Sequence, residues 1–495
     1  MSDRPAARRR LLALYALCLG VLMIVLDTTI VTVALPSIQS ALQFSRAGLT
    51  WVLDAYLLTF GGFLLLGGRL GDLYGQRRLF LAGLCVFTLA SLACGLAQTQ
   101  PELIAARAVQ GLGGAVVAAV SLSLVMSLFV EPAERAMAMG VYGFVGAAGG
   151  SIGELLGGIL TQGLGWHSVF LVNIPIGIAV YALCAALLPR DDASEASRTH
   201  DAAGAIAITT SLMLAVYAVV NANQIGWVSA PTLGLLGLAA ALLLAFVIIE
   251  SHVKEPLAPL RLFLLRNVAG ANIIGVLWAA GLFAWFVISA LYLQRVAHYD
   301  PLHVGLAFLP ADLIMAVFSA GLSARMVMRF GIRGPLIAGL LLAAAGLALF
   351  ARAPLGGTFA WDVLPGMVLL GFGGGMAFNP LLLAAMSDVG SHESGLASGL
   401  VNTSFMMGGA LGLAAVASLA DVRTVALQRA GLGPLAALNG GYHLAFWLGA
   451  LLSALAALLA ALVLSPAQPM AETLSVPHST SNGAAEGAAA ADSPR

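Results

Sequence analysis

Charge is the scarcest commodity in this chain. Of its 495 residues 9% are charged and 60% hydrophobic, whereas an ordinary soluble domain carries about 25% charged residues. That imbalance excludes a soluble globular protein and leaves a polytopic membrane protein. The formal net charge is zero, and no basic patch with interleaved aromatics is present, so nucleic-acid binding is not expected. The four cysteines, Cys18, Cys85, Cys94 and Cys184, all fall inside apolar runs without CxxC spacing. Neither disulfides nor a metal site is expected from them. Walker A and HExxH motifs are both missing, so no enzymatic activity and no cofactor are expected, and ATP is not the direct energy source. A membrane-embedded prenyl transferase would need two acidic metal motifs, and Asp191 with Asp192 stands alone.

What is present is a succession of apolar runs, each roughly 20 residues long as a bilayer requires. They fall near 11–35, 49–68, 79–98, 103–126, 136–160, 167–188, 203–222, 230–250, 268–293, 303–325, 335–352, 363–386, 393–418 and 442–464. This placement predicts fourteen spans with both ends cytoplasmic, in a plasma-membrane protein that functions as a monomer. It puts about 17 of the 23 basic residues on the inner side, in keeping with the positive-inside bias. The first run is too long and too well followed by others to be a secretory signal. Residues 1–10 read as a basic cytoplasmic tail, 11–188 as a six-helix half, and 189–201 (PRDDASEASRTHD) as a cytoplasmic linker. Two inserted helices follow in 202–250, then an amphipathic linker in 251–267, a second six-helix half in 268–465, and a disordered tail in 466–495 that is rich in Ala, Ser, Gly and Pro.

A weak repeat supports two halves. Setting GRLGDLYGQRRLFLAGL (68–84) against ARMVMRFGIRGPLIAGL (324–340) aligns Gly75 with Gly331 and Arg77 with Arg333. Repeats of this kind build alternating-access transporters, with the substrate site between halves. A channel would need rings of carbonyls or charges from an oligomer, and a sensor would need an added soluble domain.

The segment 68–78, GRLGDLYGQRR, compresses Gly68, Arg69, Asp72, Gly75, Arg77 and Arg78 into a turn at a membrane face. Its GxLxDxxGxRR spacing resembles the loop between the second and third helices of the major facilitator superfamily, which implies a conformational switch built on an ionic latch around Asp72. The usual basic residues after the aspartate and after the second glycine are here Leu73 and Gln76. Further segments narrow the resemblance. LDTTIVTVALP (26–36), ending at Pro36, looks like the fourteen-helix drug:proton antiporters of the EmrB/QacA type. RAVQG (107–111), with Gln110 and Gly111, resembles that group's RxxQG element, and WHSVFLVNIPIG (166–177), with Asn173 and Pro175, resembles the opening of its helix six. Helix five departs: Gly153 is followed by Glu154 where those antiporters carry proline, before the pair Gly157 and Gly158. The resemblance implies an all-α major facilitator fold of two six-helix halves plus two central helices.

Ionisable residues inside spans carry the chemistry, because each costs roughly 2.5 to 3.5 kcal/mol at a helix centre. They are Asp27, Asp54, Arg107, Glu154 and Asp312, expected to couple protons to substrate. A rise of about 1.5 Å per residue puts Asp27, Asp54 and Arg107 in the outer half, where the arginine needs Asp27 or Asp54 as partner. Asp312 is expected nearer the midplane, facing the site from the second half. Trp51, Tyr56, Phe60, Trp278, Trp285, Phe286 and Phe378 are candidates for lining a pocket for flat cations. The expected function is export of lipophilic, cationic small molecules in exchange for protons. The alternative is a major facilitator importer or exporter of one metabolite, and a non-transporting membrane protein ranks below both.

Overall fold

The computed structural model describes residues 4–45, 48–129, 131–189, 202–253, 256, 260–389 and 394–464. These residues fold as helices without a strand among them: α1 (Arg4–Leu42), α2 (Trp51–Tyr74), α3 (Gln76–Leu96), α4 (Gln100–Leu128), α5 (Pro132–Leu164), α6 (Ser168–Leu171), α7 (Asn173–Leu187), α8 (Ala202–Ile225), α9 (Ala230–His252), α10 (Arg266–Arg295), α11 (Pro301–Val317), α12 (Ser323–Phe330), α13 (Arg333–Phe350), α14 (Leu364–Met386), α15 (Ser394–Arg429) and α16 (Pro434–Val463). With no water in a bilayer to satisfy the peptide groups, a helix does so within each apolar run. Among the described residues ten helical segments are long and apolar enough to cross a membrane, and three shorter apolar ones accompany them. Large apolar side chains such as Ile178, Leu244, Leu458 and Leu462 lie exposed on the outside of the bundle, the surface that lipid would cover. The chain is a multi-pass membrane protein.

Two groups of helices pack chiefly among themselves, α1–α7 in one and α10–α16 in the other. They meet along two seams, α5 against α11 and α2 against α15. Helix α8 lies on the second seam, touching both α2 and α15, and α9 packs on α8. The start of α1 and the end of α7 share one end of the bundle, where Arg9 donates to the carbonyls of Ala186 and Leu187 at 3.2 and 3.3 Å. The opposite, or far, end holds the end of α1 and the start of α4, joined by Gln100 donating to the carbonyls of Leu42 and Gln43 at 3.0 Å.

The aligned residues of the repeat do the same work twice. Gly75 and Gly331 both have positive φ, 98° and 71°, a conformation open to glycine without a steric penalty. Arg77 donates to the Ala185 carbonyl at 2.7 Å at the carboxyl end of α7, and Arg333 donates to the Ala461 carbonyl at the carboxyl end of α16. Each guanidinium therefore caps the negative end of the last helix of its group.

Several boundaries differ from the sequence expectation. The turn expected over 68–78 shrinks to a single residue, since α2 continues to Tyr74, α3 begins at Gln76 and only Gly75 lies between. Its apolar neighbours favour continued helix, and glycine alone makes the reversal. The tail expected over 1–10 is helical from Arg4, because nothing in its sequence breaks the helix before α1. The single span expected over 303–325 is divided between α11 and α12 by a π-helical turn at Phe318–Leu322, where Gly321 has φ 128°. The linker 189–201 apart from Pro189, residues 254, 255 and 257–259 of the second linker, and the tail 466–495 lie outside the described residues.

Candidate coupling site

Asp27 on α1 is fully buried and its carboxylate is surrounded by donors from two other helices. Arg107 Nη1 on α4 lies 2.5 Å from Asp27 Oδ2. Gln110 Nε2, one turn along α4, donates to Asp27 Oδ1 at 2.7 Å, and Asn173 Nδ2 at the start of α7 donates to the same oxygen at 2.8 Å. A buried carboxylate requires this density of compensation, since a lone charge in an apolar interior costs several kcal/mol.

The donors are themselves held. Arg107 Nε donates to the Val52 carbonyl on α2 at 2.8 Å, and Nη1 also reaches Gln110 Oε1 at 2.7 Å. Gln110 Nε2 donates to Ser91 Oγ on α3 at 2.8 Å, and the Cys94 thiol approaches Gln110 Oε1 at 3.5 Å. The guanidinium rests 4.3 Å from the centre of the Tyr56 ring and 5.7 Å from that of Phe170, which places cation–π attraction on a desolvated charge. Five helices, α1, α2, α3, α4 and α7, thus converge on one ion pair. Loss of the charge on Asp27 would remove the main attraction holding Arg107.

Of the two acids that could partner Arg107, the structure chooses Asp27. Asp54 is also fully buried on α2 but forms no ion pair with Arg107, which takes the nearby Val52 carbonyl instead. Asp312 does not share the Asp27 cluster. It meets Glu154 across the α5–α11 seam, where the two carboxyl groups are close enough to interact directly. The five ionisable residues therefore form one ion pair, one acid pair and a separate aspartate.

The family-motif positions explain how these groups come together. A Cβ on Gly111 would lie 2.2 Å from Thr59 Oγ1 and 2.3 Å from the Tyr56 carbonyl, so glycine sets the approach of α4 to α2 that brings Arg107 to Val52. Gly153 and Gly157 bring α5 onto α1 at Thr29 and Ile30, while Gly158 faces the Pro301 carbonyl of α11. Pro36 lies inside α1, and Pro175 follows Asn173 in the first turn of α7. Gly68 faces Ala119 of α4 at ordinary contact distance, and Arg78 is exposed. The side chains of Arg69 and Asp72 lie outside what the structure describes, so the latch around Asp72 does too.

Aromatic residues group mainly in the second half. Trp278 packs edge-on with Phe378 and Phe405, at ring-centre distances of 6.3 and 5.5 Å, and Trp285, Phe286 and Phe308 form a second group. Trp51 pairs with Tyr217 of α8. Phe405 and Ser91 were not singled out from the sequence, because one phenylalanine or serine in an apolar run carries no periodic or charge signal. At the far end a cavity of about 40 Å³ is lined from both groups by Leu35, Thr50, Arg295 and Asp421 among others. That is well below the roughly 300 Å³ of a small drug site.

Two pseudo-repeated helical groups, with buried polar residues at their contacts and apolar side chains outside, define a membrane transporter rather than an enzyme. The family model of the Major Facilitator Superfamily matches residues 17–413, and the chain belongs to that family. It is 38% identical over 452 residues to the "Puromycin resistance protein pur8" of Streptomyces alboniger, covering 90% of each chain. It is 39% identical over 409 residues to the "Cephamycin export protein CmcT" of Amycolatopsis lactamdurans, covering 81% of this chain and 83% of that one. Among solved structures, a bacterial homologue of the human lysosomal transporter Spinster, inward-facing and unoccupied, superposes with a TM-score of 0.66. It has 17% identity and covers 92% of this chain and 97% of that one, a likeness of fold alone.

Proposed function

We propose that this chain is a proton-coupled exporter of lipophilic, cationic antibiotics or other toxic compounds. In this reading it works by alternating-access antiport as a fourteen-helix, EmrB/QacA-like monomer of the plasma membrane, with both termini cytoplasmic and 11–188 and 268–465 as its six-helix halves. The helices of 202–250 are then the inserted pair, and the far end faces outward. The observation that carries the proposal is the fully buried Asp27–Arg107 pair, tied by Gln110 and Asn173. An acid so placed exchanges a proton for a rearrangement: protonated, it releases Arg107, and ionised, it gathers α4 and α7 onto α1. Relatives named for resistance and export support drugs as the cargo. The test is efflux of a fluorescent lipophilic cation in everted membrane vesicles. Accumulation driven by a proton gradient and abolished by a protonophore is expected. Accumulation that persists after the gradient collapses would overturn proton coupling, and transport of one metabolite with no drug efflux would favour the alternative.

A further inference from the structure

The α5–α11 seam holds a second buried arrangement that the Asp27 cluster does not explain. The two helices approach at backbone contact: a Cβ on Gly305 would lie 2.6 Å from the Glu154 carbonyl, and one on Gly158 2.6 Å from the Pro301 carbonyl. Glu154 is fully buried and Asp312 is 4% exposed. Neither oxygen of Glu154, nor Asp312 Oδ2, accepts a hydrogen bond from an amide or hydroxyl among the described residues. Helix α14, which also packs on α11, carries no ionisable residue, and neither does the π-helical turn Phe318–Leu322. Helix α1, packed on α5, presents Asp27, already held by Arg107 of α4. Glu102 lies in the first turn of α4, Arg295 lies in the last turn of α10, His303 is exposed at the start of α11, and Glu134 pairs with Arg10 at the other end of α5. Each buried carboxyl therefore has the other as its polar neighbour.

Two apposed carboxylates in an apolar seam repel, and among the described residues neither has a compensating cation. One proton changes the sign of the interaction, giving a short O–H···O⁻ bond in which one carboxyl donates and the other accepts. We infer that Glu154 and Asp312 bind one proton between the two halves and so clasp their far ends shut. On release the O–H bond breaks, the proton passes to water, and two carboxylates remain face to face, which drives the halves apart. This rests on the alternating-access reading above and adds a second proton site to it.

The test is an inter-half distance measurement on the full-length chain. Spin labels at Leu164→Cys and Leu355→Cys, both exposed at the far end, report the separation once Cys85→Ser removes the exposed native cysteine. In the parent, raising the pH from about 5 to about 9 is expected to convert the short distance to a longer one, because the closed form is the one that binds the proton. Glu154→Gln and the Glu154→Gln/Asp312→Asn pair are expected to stay short throughout, since an amide supplies the donor permanently. A parent distance indifferent to pH, or a double variant that still opens, would overturn the inference. Asp27→Asn separates the two proposals: it is expected to lose drug efflux yet keep the pH-dependent distance. Loss of that dependence in Asp27→Asn would also overturn the independence claimed for the clasp.

Discussion

One buried carboxylate, Asp27, ties α1, α4 and α7 directly and α2 and α3 through its donors. Arg107→Ala would leave that carboxylate with two amide donors and no cation, a change of the kind that costs about 3 to 5 kcal/mol when the charge stays buried. The expected result is a chain that inserts and reaches the membrane but shows no efflux above background at matched expression. Arg107→Lys is expected to rescue little, since one ammonium cannot serve Asp27, Gln110 and the Val52 carbonyl in the planar geometry the guanidinium provides. Efflux at parental rates in Arg107→Ala would exclude the pair from the transport cycle. Asp27 and Arg107 were legible in the sequence because charge is so rare inside the spans. The choice of Asp27 over Asp54 was not, since both acids fall at similar depth and only the packed helices decide which one the guanidinium reaches. Gln110 and Asn173 were visible only as motif letters, and the structure turns them into ligands of one carboxylate.

At the scale of elements, close approach is set by glycine and by caps. Gly111→Ala would force α4 away from α2, against the Thr59 hydroxyl and the Tyr56 carbonyl. Overpacking of this kind costs about 1 to 3 kcal/mol, so a lower thermal unfolding midpoint and reduced efflux are expected together. An unchanged midpoint would show that the two helices can separate freely. The start of α11 offers a test in water. Asp300 accepts hydrogen bonds from the His303 amide and ring at 2.8 Å, and these hold its carboxyl below the usual carboxylate range, the amide contributing most. Its folded pKa is depressed, so its stabilisation is present above the unfolded pKa and is lost as pH falls through the folded one. Asp300→Ala should therefore destabilise the chain by about 1 kcal/mol near neutrality, with the difference from the parent shrinking in acid. A difference that grows in acid would contradict the sign. The existence of most helices was legible from apolar runs, but their ends were not. Helix α2 continues through the charged 68–74 segment because a single glycine suffices for the turn, and the break at Gly321 has no proline or charge to announce it.

In the whole molecule, two seams join the halves. The α2–α15 seam is flanked by α8, and the α5–α11 seam contains the acid pair. The repeat that aligns Gly75 with Gly331 and Arg77 with Arg333 was visible in the sequence, and the matched roles of the two arginines give it a physical meaning. What sequence could not supply was which residues face each other across the seams, because facing depends on helix rotation that an all-apolar pattern does not encode. If Asp27 links proton and cargo, reciprocity requires that substrate binding release the proton. The most direct measurement is the pH change when a lipophilic cation is added to purified protein in weakly buffered detergent solution. Proton release that saturates with substrate in the parent and is lost in Asp27→Asn is the expected result. Tight binding without release, or the same release in Asp27→Asn, would contradict the assignment of Asp27 as the coupling acid.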